Sequence, residues 1–165
     1  MKRNAFRFAP GLVLASLAVS ALTLSPAPTA ADLDLGAPAA ERQQKLIALV
    51  QSDAPAAEKA LALKQLAICG TADAVPALAG FLGSEQLATW ARIALEVIPG
   101  PAPDEALRAA LTTVQGRPLI GVINSIGVRR DEKAVYPLVT KLKHPRPEIA
   151  SAAAIALGHI GSDSA

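Results

Sequence analysis

Apolar residues recur along this chain at steps of three and four, the spacing of one face of an α-helix. The clearest runs are Leu46, Leu49, Val50; Val75, Leu78, Ala79, Leu82; and Val135, Leu138, Val139, Leu142. Alanine and leucine dominate these runs, and both favour helix over strand. Strands would show two-residue alternation and many aromatic side chains, but aromatic residues are only 3% of the chain. The periodicity therefore predicts an all-α fold.

The same pattern appears twice, about sixty residues apart. The run 74–78, Ala-Val-Pro-Ala-Leu, returns over 134–138 as Ala-Val-Tyr-Pro-Leu, and Leu82 returns as Leu142. The later apolar positions also return, and these pairs are Leu87/Ile149, Ala91/Ala153, Ile93/Ile155, Ala94/Ala156, Leu95/Leu157 and Ile98/Ile160. Sixty residues are two periods of about thirty, so we predict an array of about four helix pairs. The four repeats span 41–70, 71–100, 101–127 and 128–161.

Each repeat is predicted to contain an outer and an inner helix. The outer helices lie near 41–51, 72–82, 104–114 and 132–142, and the inner helices near 56–68, 85–98, 118–126 and 147–160. Potential caps such as Ser84 and Asp73 precede helices. Glycines are expected to end the inner helices at Gly70, Gly100, Gly127 and Gly161.

The repeated motif resembles a known family. An outer helix of the form Asp-x-Val-Pro-x-Leu-x-x-x-Leu, with an inner helix ending Ala-x-x-Ala-Leu-Gly-x-Ile-Gly, is similar to the HEAT repeat, and to the short bacterial HEAT-like repeat also found in phycobilisome lyases. The resemblance covers roughly residues 41–161 and implies a right-handed α-solenoid. It departs from the family where Ala88 and Ala150 replace an arginine that often follows the first apolar residue of the inner helix.

The N-terminus shows the three successive regions of a secretory signal peptide: basic, apolar and rich in small residues. Lys2, Arg3 and Arg7 precede an apolar run over 11–24, and small residues follow up to Ala31. We predict a signal over 1–31 and a linker over 32–40, so the protein is exported to the periplasm or the extracellular space. An uncleaved anchor is the alternative, but the apolar run is shorter than the ~20 residues that span a bilayer. No membrane span is expected after signal removal.

Removal of the signal changes the charge. The remaining 134 residues carry 13 basic and 14 acidic side chains, a net charge of −1, because the signal holds three of the 16 basic residues and none of the acidic ones. Nucleic-acid binding is therefore not expected. Cys69 has no second cysteine to pair with. We interpret it as a small buried thiol rather than a reactive one.

The C-terminus is expected to be an open end. Residues 161–165 parallel 70–74, which begin a new outer helix, so 162–165 are predicted to start a further repeat. Terminal repeats usually carry a polar outer face, but the last inner helix has no charge between Glu148 and His159. We predict that the chain is the N-terminal module of a longer protein. The alternative is a short array that self-associates through this open repeat.

No catalytic or metal-binding constellation is found in the sequence. His144 and His159 lack a His or Cys partner at metal-ligand spacing, so no metal or cofactor is expected. The acidic pairs Asp104-Glu105 and Asp131-Glu132 stand at helix starts, where they complement the helix dipole, and capping is favoured over acid–base chemistry.

One stretch is locally basic. Between Arg108 and Arg146 only Asp131 and Glu132 oppose the basic residues. A solvated surface is the simplest explanation, and the alternative is an edge that binds an acidic protein, a glycan or lipid headgroups. The candidate residues are Arg117, Arg129, Arg130, Lys133 and Arg146. Trp90, on an inner helix, is either a binding anchor or an ordinary packing residue.

These features predict an exported, non-catalytic scaffold that binds a partner protein. The alternatives are an accessory repeat segment of a larger secreted enzyme or haem protein, and a helper that handles a chromophore. The last follows only from the resemblance to the lyases.

Overall fold

A computed structural model describes residues 38–161 as eight α-helices. In chain order the helices are α1 Ala39–Gln51, α2 Ala56–Cys69, α3 Val75–Ala79, α4 Ala88–Val97, α5 Pro101–Thr113, α6 Gly116–Arg129, α7 Val135–Lys141 and α8 Pro147–Ile160. Short 3-10 turns, Ala72–Ala74 and Glu132–Ala134, lead into α3 and α7. No strand occurs between residues 38 and 161, which confirms the all-helical prediction for that range. The predicted signal over 1–31, most of the linker and residues 162–165 lie outside the described residues.

The helices pack in two series. Each odd-numbered helix pairs with the even-numbered helix that follows it, as α1 with α2 and α7 with α8. The even-numbered helices also pack one on the next, in the order α2, α4, α6, α8. We call these four the inner helices. Among the odd-numbered helices, α3 packs against both α1 and α5. Each helix pair therefore meets the next mainly through its inner helix.

The core is made almost entirely of leucine, isoleucine, valine and alanine. Leu63, Leu95 and Ile123, one from each of three inner helices, are fully buried. Burial of such a side chain stabilises the folded state by roughly 1.5–3 kcal/mol relative to exposure. Leu138 and Leu157, both at apolar positions that recur between the repeats, are buried.

Helix α6 does not end where the sequence indicated. The predicted stop, Gly127, lies inside α6, which continues to Arg129 before Arg130 adopts a left-handed conformation with φ 52°. Gly127 serves another purpose, because a Cβ at this position would stand 2.9 Å from Ala156 Cα of α8. The glycine lets two inner helices approach closely. It was therefore mistaken for a helix terminator.

Other boundaries also differ from the prediction, by up to three residues. Helix α1 begins at Ala39, inside the predicted linker, and α5 begins at Pro101, three residues before the expected start. Helix α3 is only five residues long and is followed by turns up to Gly83. Within residues 38–161, no helix is both long enough and apolar enough to cross a membrane.

Candidate binding surface

Arg129 lies at the end of α6 and is almost enclosed, with only 11% of its side chain exposed. Its Nε donates to the carboxylate of Asp104 in α5. Its Nη1 donates to the carbonyl oxygens of Leu95, Glu96 and Ile98, at 2.9, 3.0 and 2.9 Å, and its Nη2 donates to Gly100 O at 2.9 Å. One guanidinium thus joins the end of α6 to the end of α4 and the start of α5.

These hydrogen bonds distinguish Arg129 from the other candidate binding residues. Each of its three guanidinium nitrogens is already hydrogen-bonded within the fold. Carbonyls at a helix C-terminus lack intrahelical partners and carry partial negative charge, so a cation there is stabilising. Arg129 serves the fold, and we do not assign it to a binding surface.

Arg130 and Lys133 follow Arg129 and are exposed. Between them, Asp131 is buried and pairs with Arg108 of α5. Its carboxylate also accepts a hydrogen bond from Lys133 N at 3.2 Å, the capping role expected from its place at a helix start. The exposed basic charge at this end of α6 is therefore limited to two side chains, beside a carboxylate that is already paired.

Arg117 and Arg146 both lie near the start of α6, at the end opposite Arg129, but they line different cavities. A Cβ on Gly116 would be 3.8 Å from Arg146 Nη1, which brings the α7–α8 turn against the start of α6. A cavity of about 320 Å³ lies between the α7–α8 turn and the turn from α5 to α6. Lys141 and His144 contribute to its lining. Arg146 is exposed and stands 3.9 Å from the Glu148 carboxylate. The structure therefore divides the predicted basic residues between two edges.

Trp90 packs against the core from α4 and is half-buried. The Lys64 ammonium of α2 lies 4.1 Å from the centre of its ring, within cation–π range. Both contacts are within the fold and join α2 to α4. The geometry favours the packing interpretation of Trp90 over the binding-anchor interpretation.

A larger groove, of about 560 Å³, lies between the inner helices α4 and α6. Its polar walls carry Glu85, Thr89 and Arg92 on the α4 side and Arg117 and Asn124 on the α6 side. Ala88, Pro118 and Ile120 supply apolar surface. Of the candidate residues named from the sequence, only Arg117 lines this groove. The other residues that line it were not among those candidates.

Arg92 is the most constrained polar residue in the groove, and 17% of its side chain is exposed. Its Nη1 donates to Gly121 O at 3.2 Å and to Ser125 Oγ at 3.0 Å, and lies 3.6 Å from the Glu96 carboxylate. Burial lowers the pKa of the Arg92 guanidinium, while the Glu96 charge raises it. Arginine stays protonated in proteins despite such shifts, so Arg92 carries a fixed positive charge.

A sequence signal for this groove does exist. Gly121 and Ser125 are four residues apart and therefore share one face of α6, the face that contacts Arg92. A small residue and a hydroxyl at that spacing, one repeat after an inner-helix arginine, would have indicated a polar contact between neighbouring helices.

Across residues 38–161, no three His, Cys, Asp or Glu side chains come close enough together to hold a metal ion. Cys69 is half-buried, and its thiol lies 3.4 Å from Gln65 O.

No family model matches the chain, and no curated protein is significantly similar to it in sequence.

Proposed function

We propose that this protein is an exported, non-catalytic scaffold that binds a partner protein. We further propose that its helix pairs form a right-handed HEAT-like α-solenoid. The consecutive packing of α2, α4, α6 and α8 supports this architecture, as does the return of one apolar pattern in repeats two and four. In such arrays each repeat contacts only its neighbours, and the stacked helices present an extended binding surface.

The observation that carries the binding function is the apolar exposure of the inner helices. Ile93 of α4 and Ile155 of α8 occupy equivalent positions in the repeat and are 38% and 57% exposed. Leu61 of α2, Val97 of α4 and Val128 of α6 are also exposed. A single exposed leucine needs no explanation, but apolar residues on all four members of one layer are typical of an interaction surface.

The groove between α4 and α6 adds polar groups to the same layer of helices. Protein interfaces combine apolar anchors with hydrogen-bonding groups, and arginine is enriched among them. Exposed isoleucine and valine and a fixed arginine on one layer of helices therefore suit recognition of a protein.

A photo-crosslinking amino acid placed at Ile93 or Ile155 tests this function in the native host. We expect each site to give the same adduct, identified by mass spectrometry as one defined protein. Ala109, exposed on the odd-numbered helix α5, is the control site and should give no such adduct. Equal labelling from all three sites, or no adduct from the inner helices, contradicts the proposal.

Export is tested separately. If 1–31 is a signal, expression in a bacterial host should give an envelope-located product that begins near Asp32. N-terminal sequencing that finds an intact Met1 in soluble cytosolic protein contradicts export, but leaves the binding proposal standing.

A further inference from the structure

The guanidinium of Arg92 is held by one edge only. All of its hydrogen bonds within residues 38–161 use Nη1, which reaches Gly121 O and Ser125 Oγ. Ser125 is fully buried, and its hydroxyl donates to Glu96 Oε1 at 2.6 Å. Glu96 in turn lies beside Nη1, so these groups fix the orientation of the arginine.

Gly121 makes this position possible. A Cβ at residue 121 would stand 2.5 Å from Arg92 Nε and 2.8 Å from its Cζ, both too close for real atoms. The guanidinium therefore lies directly against the backbone of α6. A side chain at residue 121 would force it to move.

The other edge of the guanidinium is unused. Neither Nε nor Nη2 of Arg92 hydrogen-bonds to another residue of the described chain. Nε–H and one Nη2–H point in parallel and form a fork that matches the two oxygens of a carboxylate. Because the fold already holds this fork in place, little side-chain entropy would be lost when it binds.

A second positive charge lies in the same groove. Arg117 is exposed and makes no ion pair or hydrogen bond with residues 38–161. Against these two arginines stands one exposed carboxylate, Glu85, while Glu96 is engaged beneath the guanidinium by Ser125. Glu85 and Glu96 balance the two arginines in formal charge, so the preference for a negatively charged ligand comes from the open donor edge of Arg92 and the unpaired charge of Arg117.

The apolar surface and the size of the groove define what carries this charge. Pro118 and Ile120 offer contact to the methylene groups of a glutamate side chain, and a groove of about 560 Å³ exceeds what one carboxylate fills. We propose that the Arg92–Arg117 groove binds a glutamate-containing segment of the partner protein, with one carboxylate on the Arg92 fork. This inference rests on the proposed scaffold function.

Fluorescence anisotropy with a labelled glutamate-rich peptide tests the groove directly. The matched probe carries glutamine at every glutamate position. We expect the purified protein to bind the glutamate peptide about tenfold more tightly, since hydrogen bonds to charged groups are the stronger ones. Equal affinity for the two peptides would overturn the proposal.

Three exposed positions make the test specific. Arg117→Gln should weaken binding of the glutamate peptide by about threefold or more, and Glu85→Gln should strengthen it, because charges at the rim of a site attract or repel the ligand. Lys133→Gln removes the same charge at the other edge and should change nothing. Equal weakening by Arg117→Gln and Lys133→Gln would reduce the effect to general electrostatics and overturn the site.

Gly121→Ala tests the position of Arg92. The added methyl group should displace the guanidinium and abolish the preference for glutamate over glutamine, with the far-UV circular dichroism spectrum unchanged. A folded Gly121→Ala protein that keeps the full preference contradicts the role of the Arg92 fork. If this variant does not fold, the result with Arg117→Gln decides.

Competition with succinate separates a peptide from a free carboxylate. Succinate should displace the peptide only at much higher concentration than unlabelled peptide does; displacement at equal concentration overturns the peptide assignment. Crosslinked adducts at Ile93 without binding of the glutamate peptide would contradict the proposed ligand of this groove and leave the scaffold function standing. Binding of the peptide without such adducts would keep the groove and reject the scaffold.

Discussion

Repeat two, over 71–100, and repeat four, over 128–161, share one apolar pattern but are covered differently. Leu78 and its counterpart Leu138 are both fully buried. Leu82 is 1% exposed, whereas its counterpart Leu142 is 41% exposed. Helix α3 of repeat two packs against α5, the odd-numbered helix of repeat three, whereas residues 38–161 contain no odd-numbered helix after α7 that could pack against it in the same way. The same residue type is thus core in one repeat and surface in the other.

The inner-helix ends differ in the same way. At the end of α4, the carbonyls of Leu95 and Ile98 accept hydrogen bonds from Arg129 of the next repeat. At the end of α8, Leu157 O accepts a hydrogen bond from Gly161 N, within α8's own cap. The comparison shows that a repeat's stability comes partly from its neighbour, which the sequence of the single repeat does not encode.

Arg129→Ala is expected to give the largest loss. It would leave Asp104 without its ion-pair partner and four carbonyls without their donor, and removal of one partner from such a pair costs about 3–4 kcal/mol. Urea unfolding measures the change. Lys133→Ala, with the same change in charge, should stay within about 0.5 kcal/mol. Similar effects of the two substitutions would contradict the conclusion that the Arg129 hydrogen bonds stabilise repeat two more than a surface charge does.

The paired substitutions Leu82→Ala and Leu142→Ala test the difference in burial between these two equivalent leucines. Leu82→Ala should destabilise the protein by about 2–3 kcal/mol because it leaves a cavity. Leu142→Ala should cost less than about 1 kcal/mol, because its side chain is already partly in water. Leu78→Ala and Leu138→Ala are the controls and should be similar to each other. Equal losses at positions 82 and 142 would show that repeat four is covered by residues outside 38–161.

Gly127→Ala tests the close approach between α6 and α8, the inner helices of repeats three and four. The new methyl group would lie 2.9 Å from Ala156 Cα, and overpacking of this kind costs about 1–2 kcal/mol. Thermal unfolding should show the loss. A neutral or stabilising Gly127→Ala substitution would contradict the close approach of α6 and α8, because alanine favours a helix interior wherever its methyl group fits.

The smallest effect is expected at the end of α6, where Arg130 has φ 52°, against φ 60° for Gly161 at the end of α8. A non-glycine residue in this conformation is strained, so Arg130→Gly should stabilise the protein by about 0.5 kcal/mol. Arg130→Ala keeps the strain and should give no such gain. A loss of stability in Arg130→Gly would mean that the arginine side chain contributes more than the strain removes.

The sequence predicted the helices well because each depends on local information. Alternation of apolar and polar residues at three- and four-residue steps is sufficient to place α2 and α8 almost to the residue. Gly127 was misread because a glycine that ends a helix and a glycine that admits a neighbouring helix look the same in sequence. Only the distance to Ala156, 29 residues later, separates the two.

The roles of the arginines were harder to predict for the same reason. The acceptors of Arg129 include backbone carbonyls 29–34 residues earlier in the chain, and a carbonyl has no side-chain signature. Arg129 and Arg130 are adjacent and chemically identical, yet one is enclosed and the other exposed. Their difference arises from the direction in which α6 ends.

The Arg129 contacts also bear on how the molecule comes apart. If the helix pairs form a linear array, each repeat is stabilised mainly by its neighbours, so a repeat with fewer neighbour contacts opens more readily. Arg129 binds the last turn of α4 and the first turn of α5 together, so these segments should open as one cooperative unit. Amide hydrogen exchange should then be slow from the end of α4 through α6 and faster in α1 and α8. Arg129, one of the candidate binding residues in the sequence, would then mark the end of the slowest-exchanging part of the fold.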